Sequence, residues 1–175
     1  MAFDANPGDP DPAAPDLADA ADLVELAGHA AALADAIERA LPGWVERSVE
    51  RLLVAYRGRV EPDERAAASA AGVAAAADIG PAVHALLFTD IDEQRTGPLA
   101  LARQAVRYPT AVLDEAGVPS VERDEFVERQ FPDDVYDLAP ATFADLDPAL
   151  LELGITWGAA KAHVHLARRR RDGLR

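Results

Sequence analysis

The fold is decided by residues 17–41, whose sequence is LADAADLVELAGHAAALADAIERAL. Apolar side chains recur in this segment at intervals of three and four residues, which places them on one face of an α-helix. The positions on that face are Leu23, Leu26, Ala27, Ala30, Leu33, Ala34, Ile37 and Leu41. The segment therefore predicts an amphipathic helix with one buried face.

Proline and glycine divide the rest of the chain into further helical segments. Pro42 and Pro62 each fit the first turn of a new helix, and Gly80-Pro81 is expected to break or kink an alanine-rich run. Ser120 is the expected N-cap of a helix that reaches about residue 130. No run alternates in polarity for long enough to predict a strand. The aromatic residues expected in the core are Trp44, Tyr56, Phe88 and Trp157.

Composition sets the expected domain boundaries. Residues 1–16 combine prolines with aspartates and lack basic side chains, so we expect a disordered acidic tail. The rest, residues 17–172, is expected to be a single all-α domain, a helical bundle of about six to eight helices. We expect long helices over 17–93, shorter helices and an acidic aromatic loop over 97–147, and a C-terminal helix over 154–171.

Several protein classes are excluded or disfavoured. The chain has no cysteine, which excludes disulfides, thiolate metal sites and cysteine nucleophiles. Its first residues lack the basic and apolar regions of a signal peptide, and no stretch reaches the roughly 18 apolar residues that span a bilayer. We therefore expect a cytoplasmic protein without a transmembrane segment.

Charge is distributed unevenly along the chain. The net charge is -14, whereas residues 161–175 hold six basic side chains and one acidic side chain. The basic side chains include Arg168, Arg169, Arg170 and Arg171. Three interpretations stay open: cations that complement the dipole of the last helix, a contact with RNA or an anionic lipid surface, and a contact with an acidic partner protein.

Aromatic side chains lie within an acidic stretch rich in proline. Phe131, Tyr136 and Phe143 are expected either to anchor a loop over residues 126–147 to the helices or to form a binding surface. Together with the basic last helix, this loop is the expected working surface. The sequence thus favours a non-catalytic interaction or regulatory protein whose partner is another protein.

One acidic motif supports an alternative function. Asp133-Asp134-Val135-Tyr136-Asp137 resembles the DDxxD box with which isoprenyl-diphosphate and terpene synthases hold magnesium. On a helix, its first and fifth positions would share a face and offer carboxylates to Mg²⁺. The long bundle and second acidic motif of those synthases are absent from this sequence. The alternative is a small Mg-dependent enzyme that acts on a phosphorylated or diphosphate substrate.

The other motifs that could carry chemistry are weak. His163 and His165 are two residues apart, so on a helix they point in different directions and do not chelate one metal. No serine lies in a G-x-S-x-G elbow and no glycine-rich phosphate loop occurs, so the sequence predicts no cofactor and disfavours an enzyme. The second helix of a helix-turn-helix-like segment over 110–129 would be acidic, which disfavours sequence-specific DNA binding.

Small residues recur on the last helix. Gly154, Gly158 and Ala162 fall at every fourth position, which lets another helix approach closely. That helix could belong to the same molecule or to a second copy, so homo-oligomers stay open.

A family resemblance covers residues 90–166, under half of the chain. These residues include the segments DEQRTGPLALARQAVRYPT, GVPSVERDEF, FPDDVYDLAP and WGAAKAHVH. In them the chain resembles a group of short helical proteins from high-GC Gram-positive bacteria. That group has no assigned activity, so the resemblance implies that this block is the functional half and carries over no catalytic residue or partner.

Overall fold

The computed structural model describes residues 17–89 and 97–173, and these residues form an all-α bundle without a β-strand. The expected tail over 1–16, residues 90–96 and the side chain of Arg171 lie outside the described part. The helices are α1 (Leu17–Arg57), α2 (Pro62–Leu87), α3 (Pro98–Arg103), α4 (Arg107–Glu115), α5 (Glu125–Gln130), α6 (Phe143–Leu146) and α7 (Leu150–Asp172), with a 3₁₀ turn at Gln104–Val106. The predicted fold class is confirmed.

A long hairpin of α1 and α2 forms the centre of the bundle. The predicted helix boundary at Pro42 is wrong, because α1 continues through this residue to Arg57. Leu41 and Val45 on either side of Pro42 are fully buried, so their packing outweighs the local cost of a proline inside a helix. Gly72 of α2 allows close approach, since a β-carbon there would lie 2.8 Å from the Cα atom and the carbonyl oxygen of Pro42.

Helix α2 also passes through a predicted interruption. It begins with Pro62 at its first position, as the sequence predicts, and then continues across Gly80 and Pro81 to Leu87. The helix expected to reach residue 93 thus ends earlier. Gly80 lies against α1, where a β-carbon would come within 3.0 Å of the Glu38 side chain. Contrary to the expectation that no stretch could span a bilayer, helix α2 is long and apolar enough to cross a membrane by length and composition, a test that the core helices of soluble proteins also pass.

The remaining helices cover the hairpin. Helix α4 packs on both α1 and α2, and α7 packs along α1. Trp44 is buried in the shared core, as predicted, and Trp157 is half-buried against it. The prediction is wrong for Tyr56 and Phe88, which are exposed, because both lie at helix ends beyond the reach of a covering helix.

Two helix starts differ from the sequence prediction. Helix α5 begins at Glu125 rather than after Ser120, and the Asp124 carboxylate accepts a hydrogen bond from the Phe126 N–H at 2.9 Å. Helix α7 begins at Leu150, four residues before the predicted start at Gly154. The turn before it is fixed by Asp147, whose carboxylate accepts from the Ala149 N–H at 2.9 Å.

Candidate interaction groove

The acidic aromatic loop between α5 and α6 is held to the bundle by Tyr136. Its buried hydroxyl lies 2.6 Å from Asp114 Oδ1 and 2.8 Å from the carbonyl oxygen of Val118. The hydroxyl shares its single proton between these acceptors. Burial, reinforced by the hydrogen bond to Asp114 and its charge, raises the pKa of Tyr136 to about 12. Tyr136 therefore anchors the loop to α4 and does not present a binding surface.

Asp134 stabilises the turn that follows the DDxxD-like box. It is buried, and its two carboxylate oxygens accept hydrogen bonds from the N–H groups of Leu138 and Ala139, each at 2.7 Å. The box is not helical, and Asp137 has a positive φ of 57°. Asp133 and Asp137 are exposed. Over residues 17–89 and 97–173, no group of three histidine or carboxylate side chains is arranged to hold a metal ion.

The other two aromatic residues of the predicted loop, Phe131 and Phe143 at the start of α6, also make contacts within the bundle. The guanidinium carbon of Arg103 lies 5.5 Å from the centroid of the Phe131 ring, and its Nε donates to the Pro140 carbonyl at 2.7 Å. The Phe143 ring lies against Gly154 at the start of α7. Phe131 and Phe143 are both half-buried. Phe131 also lines a groove of about 370 Å³ together with Arg103, Arg107 and Asp133, so its two predicted roles, loop anchor and binding surface, both stay open.

A groove of about 320 Å³ opens at the opposite end of α7, between the first turns of α1, the end of α2 and α7. We call it the end groove. It is lined by Leu23, Leu26, Ala27, Ala30, Leu87, Phe88, Thr89, Trp157, Lys161 and Arg168. Apolar side chains of α1 and α2 form much of its lining, and among the described residues α2 ends at Leu87 beside this stretch of α1.

The end groove combines apolar walls with a basic rim. Phe88 is 57% exposed and Leu23 is 40% exposed, both large values for apolar side chains beside a concave surface. The Lys161 ammonium lies 5.1 Å from the centroid of the Trp157 ring, within the range of a cation–π contact. Arg168 adds a second cation to the lining. The arrangement can take an apolar side chain inside and a negative charge at the rim.

The predicted basic residues are divided between two faces of α7. Arg168 lines the end groove, whereas Arg169 and Arg170 are exposed. The loop aromatics lie far from these arginines, because Phe143 contacts Gly154, about 21 Å along the helix from Arg168. The loop and the basic end of α7 therefore do not form one continuous surface through these residues.

The histidine pair of α7 makes separate contacts. The His163 Nε2 atom lies 3.4 Å from Asp22 Oδ2 of α1. His165 also has a partner within the protein.

Sequence reasoning did not find the apolar half of the end groove. Leu23 and Ala27 fit helical periodicity and Phe88 is an expected core aromatic, yet all three are exposed. No signal in the sequence separates these positions from the core, because their exposure depends on where α2 ends.

Comparisons with protein-family models, with curated proteins and with solved structures gave no match.

Proposed function

We propose that the protein is a non-catalytic interaction protein that binds an acidic amphipathic segment of a partner protein in the end groove. The observation that carries the proposal is the position of Arg168 and Lys161 beside exposed apolar side chains of α1 and α2. The dipole of α7 alone would account for cations at its end. Lys161 and Arg168, however, also line a groove that exposes apolar side chains.

The chemistry of the lining specifies the partner. A volume of about 320 Å³ lies at the small end of ligand pockets, so it suits a few apolar side chains and not a large cofactor. Helical peptides present such side chains at intervals of three and four residues to a groove of this kind. Acidic residues beside those anchors would pair with Lys161 and Arg168.

The charge of the whole protein supports the same partner. The net charge of -14 repels acidic molecules from most of the surface, whereas the basic end attracts them. Attraction at one end orients an acidic partner before contact. Basic partners, by contrast, would be drawn to many places on the body. The electrostatic field of the protein therefore favours binding of an acidic segment at the basic end of α7.

A fluorescence anisotropy titration tests the proposal. The probe is a labelled amphipathic helical peptide with leucine and phenylalanine anchors flanked by glutamates. We expect saturable binding that weakens about tenfold or more in Phe88→Ser and in the double variant Lys161→Gln/Arg168→Gln. Arg51→Gln, an exposed position of α1 outside the groove, is the matched control and should leave the affinity unchanged.

Other occupants are outcomes of the same titration. A peptide with lysines in place of the glutamates should bind much more weakly. Tighter binding of single-stranded RNA or of anionic lipid vesicles than of the acidic peptide would contradict the proposal. Equal affinity of the wild type and the double variant would contradict it as well.

A further inference from the structure

Helix α7 carries a second apolar surface, on the face opposite the end groove. The residues on it are Leu151, Ile155, Ala159, Ala162 and Leu166, which we call the outer stripe. They recur at intervals of four and three, so they lie within an arc of about 80°. Leu151, Ile155 and Leu166 are 47%, 64% and 53% exposed. The buried residues of α7, including Leu150 and Val164, occupy the other face.

We propose that the outer stripe packs against the outer stripe of a second copy of this chain, with the two α7 helices antiparallel. The pattern of side-chain sizes is self-complementary in this orientation. A two-fold axis near Ala159 sets Leu151 opposite Leu166 of the other copy and Ile155 opposite Ala162. Ile155 thus packs against the small Ala162, and Leu151 packs beside Leu166. The small side chain of Ala159 at the centre lets the two helices approach closely.

Charge favours the same orientation. The start of α7 is acidic, with Asp147 in the preceding turn and Glu152 in the first turn. Its far end is basic, with Arg169 and Arg170 both exposed. Antiparallel packing places the acidic end of each helix beside the basic end of the other, whereas parallel packing would place like charges together. Antiparallel helix dipoles also attract each other.

The size of the surface indicates a modest affinity. The outer stripe extends over about four turns of one helix, roughly 22 Å. The area that it can bury is therefore smaller than that of most stable homodimer interfaces. We therefore expect a reversible dimer whose fraction depends on protein concentration. Because the end groove lies on the opposite face of α7, the dimer leaves that groove accessible, and the two proposals are independent.

Sedimentation velocity over a range of concentrations is the first test. Wild-type protein should shift from monomer to dimer, and Ile155→Glu should weaken dimerisation about tenfold or more while its circular dichroism stays unchanged. Val73→Glu, at an exposed apolar position of α2, is the matched control and should dimerise like the wild type. A wild type that stays monomeric at all concentrations would overturn the proposal, as would equal dimerisation of Ile155→Glu.

Disulfide trapping tests the orientation, since the natural chain has no cysteine. Ala159→Cys alone should cross-link rapidly. Leu151→Cys and Leu166→Cys should each cross-link slowly alone, at the collisional rate set by Val73→Cys, and rapidly when mixed. Rapid self-cross-linking of Leu151→Cys would indicate parallel helices and overturn the antiparallel arrangement. Binding of the stripe to anionic vesicles by a protein that stays monomeric would overturn it too.

Discussion

Gly154 and Phe143 pack so closely that a β-carbon on Gly154 would overlap the Phe143 ring. This contact joins α6 to the second turn of α7 and closes the acidic aromatic loop against the bundle. The next glycine of the helix, Gly158, has no neighbouring atom within 4 Å of the same position. Only one of the two small residues is therefore required by packing.

Alanine substitutions at these two glycines should have opposite effects. Gly154→Ala should lower the free energy of unfolding by about 1–2 kcal/mol, because the steric overlap outweighs the gain in helix propensity. Gly158→Ala should raise it by up to about 1 kcal/mol, since alanine favours helix and meets open space. Urea denaturation followed by circular dichroism measures both. A stabilising Gly154→Ala would show that the contact with Phe143 is loose.

The crossing of α1 and α2 gives a second matched pair. Pro42→Ala should raise the free energy of unfolding by about 1–3 kcal/mol, because alanine restores the helical N–H that proline lacks. Gly72→Ala should lower it, since a β-carbon would press on the backbone of Pro42 and force the helices apart. Thermal and urea denaturation of both variants provide the check. A destabilised Pro42→Ala would mean that the proline ring itself fills the crossing.

Tyr136 should make stability fall at alkaline pH. Its folded pKa, raised to about 12, lies above the ordinary value of 10, so its contribution is present below about pH 10 and is lost as pH rises towards 12. Tyr136→Phe should lower the free energy of unfolding by about 1–2 kcal/mol at neutral pH and flatten this part of the profile. Parallel alkaline profiles for the variant and the wild type would contradict the assigned role.

Magnesium should leave the thermal stability of the protein unchanged. Asp134 uses both carboxylate oxygens within the turn, and Asp133 and Asp137 belong to no group of three metal-ligating side chains within residues 17–89 and 97–173. The check is thermal denaturation with millimolar Mg²⁺, with and without inorganic diphosphate. A rise in Tm that disappears in Asp133→Asn/Asp137→Asn would instead support the alternative of a Mg-dependent enzyme.

Periodicity was a good guide to the helices and a poor guide to their ends. Leu33, Ile37 and Leu41 are fully buried, as their spacing predicts. The strong local preference of Pro42 predicts a helix boundary, but the packing around it overrides that preference. Such packing comes from α2, and the sequence of α1 alone does not contain it.

Only the basic half of the end groove could be predicted from the sequence, because its apolar half depends on contacts between distant segments. Arg168 was predicted as a binding residue from local charge, and it lines the end groove. Its apolar neighbours Leu23 and Phe88 come from distant parts of the chain. They look like core residues until it is known that α2 ends at Leu87. For Tyr136 the sequence allowed both a binding role and an anchoring role, since an aromatic residue in an acidic loop can face inward or outward. The structure shows it facing inward, with its hydroxyl donating to Asp114 and to the Val118 carbonyl.

Chemical-shift mapping by NMR tests the central claim most directly. Titration of the ¹⁵N-labelled protein with the acidic amphipathic peptide should perturb the Trp157 indole N–H and the amides of residues 23–30 and 86–89. The amides of the loop over 131–142 should stay unperturbed. Perturbations confined to that loop, or their persistence in Lys161→Gln/Arg168→Gln, would contradict the assignment of the end groove as the binding site.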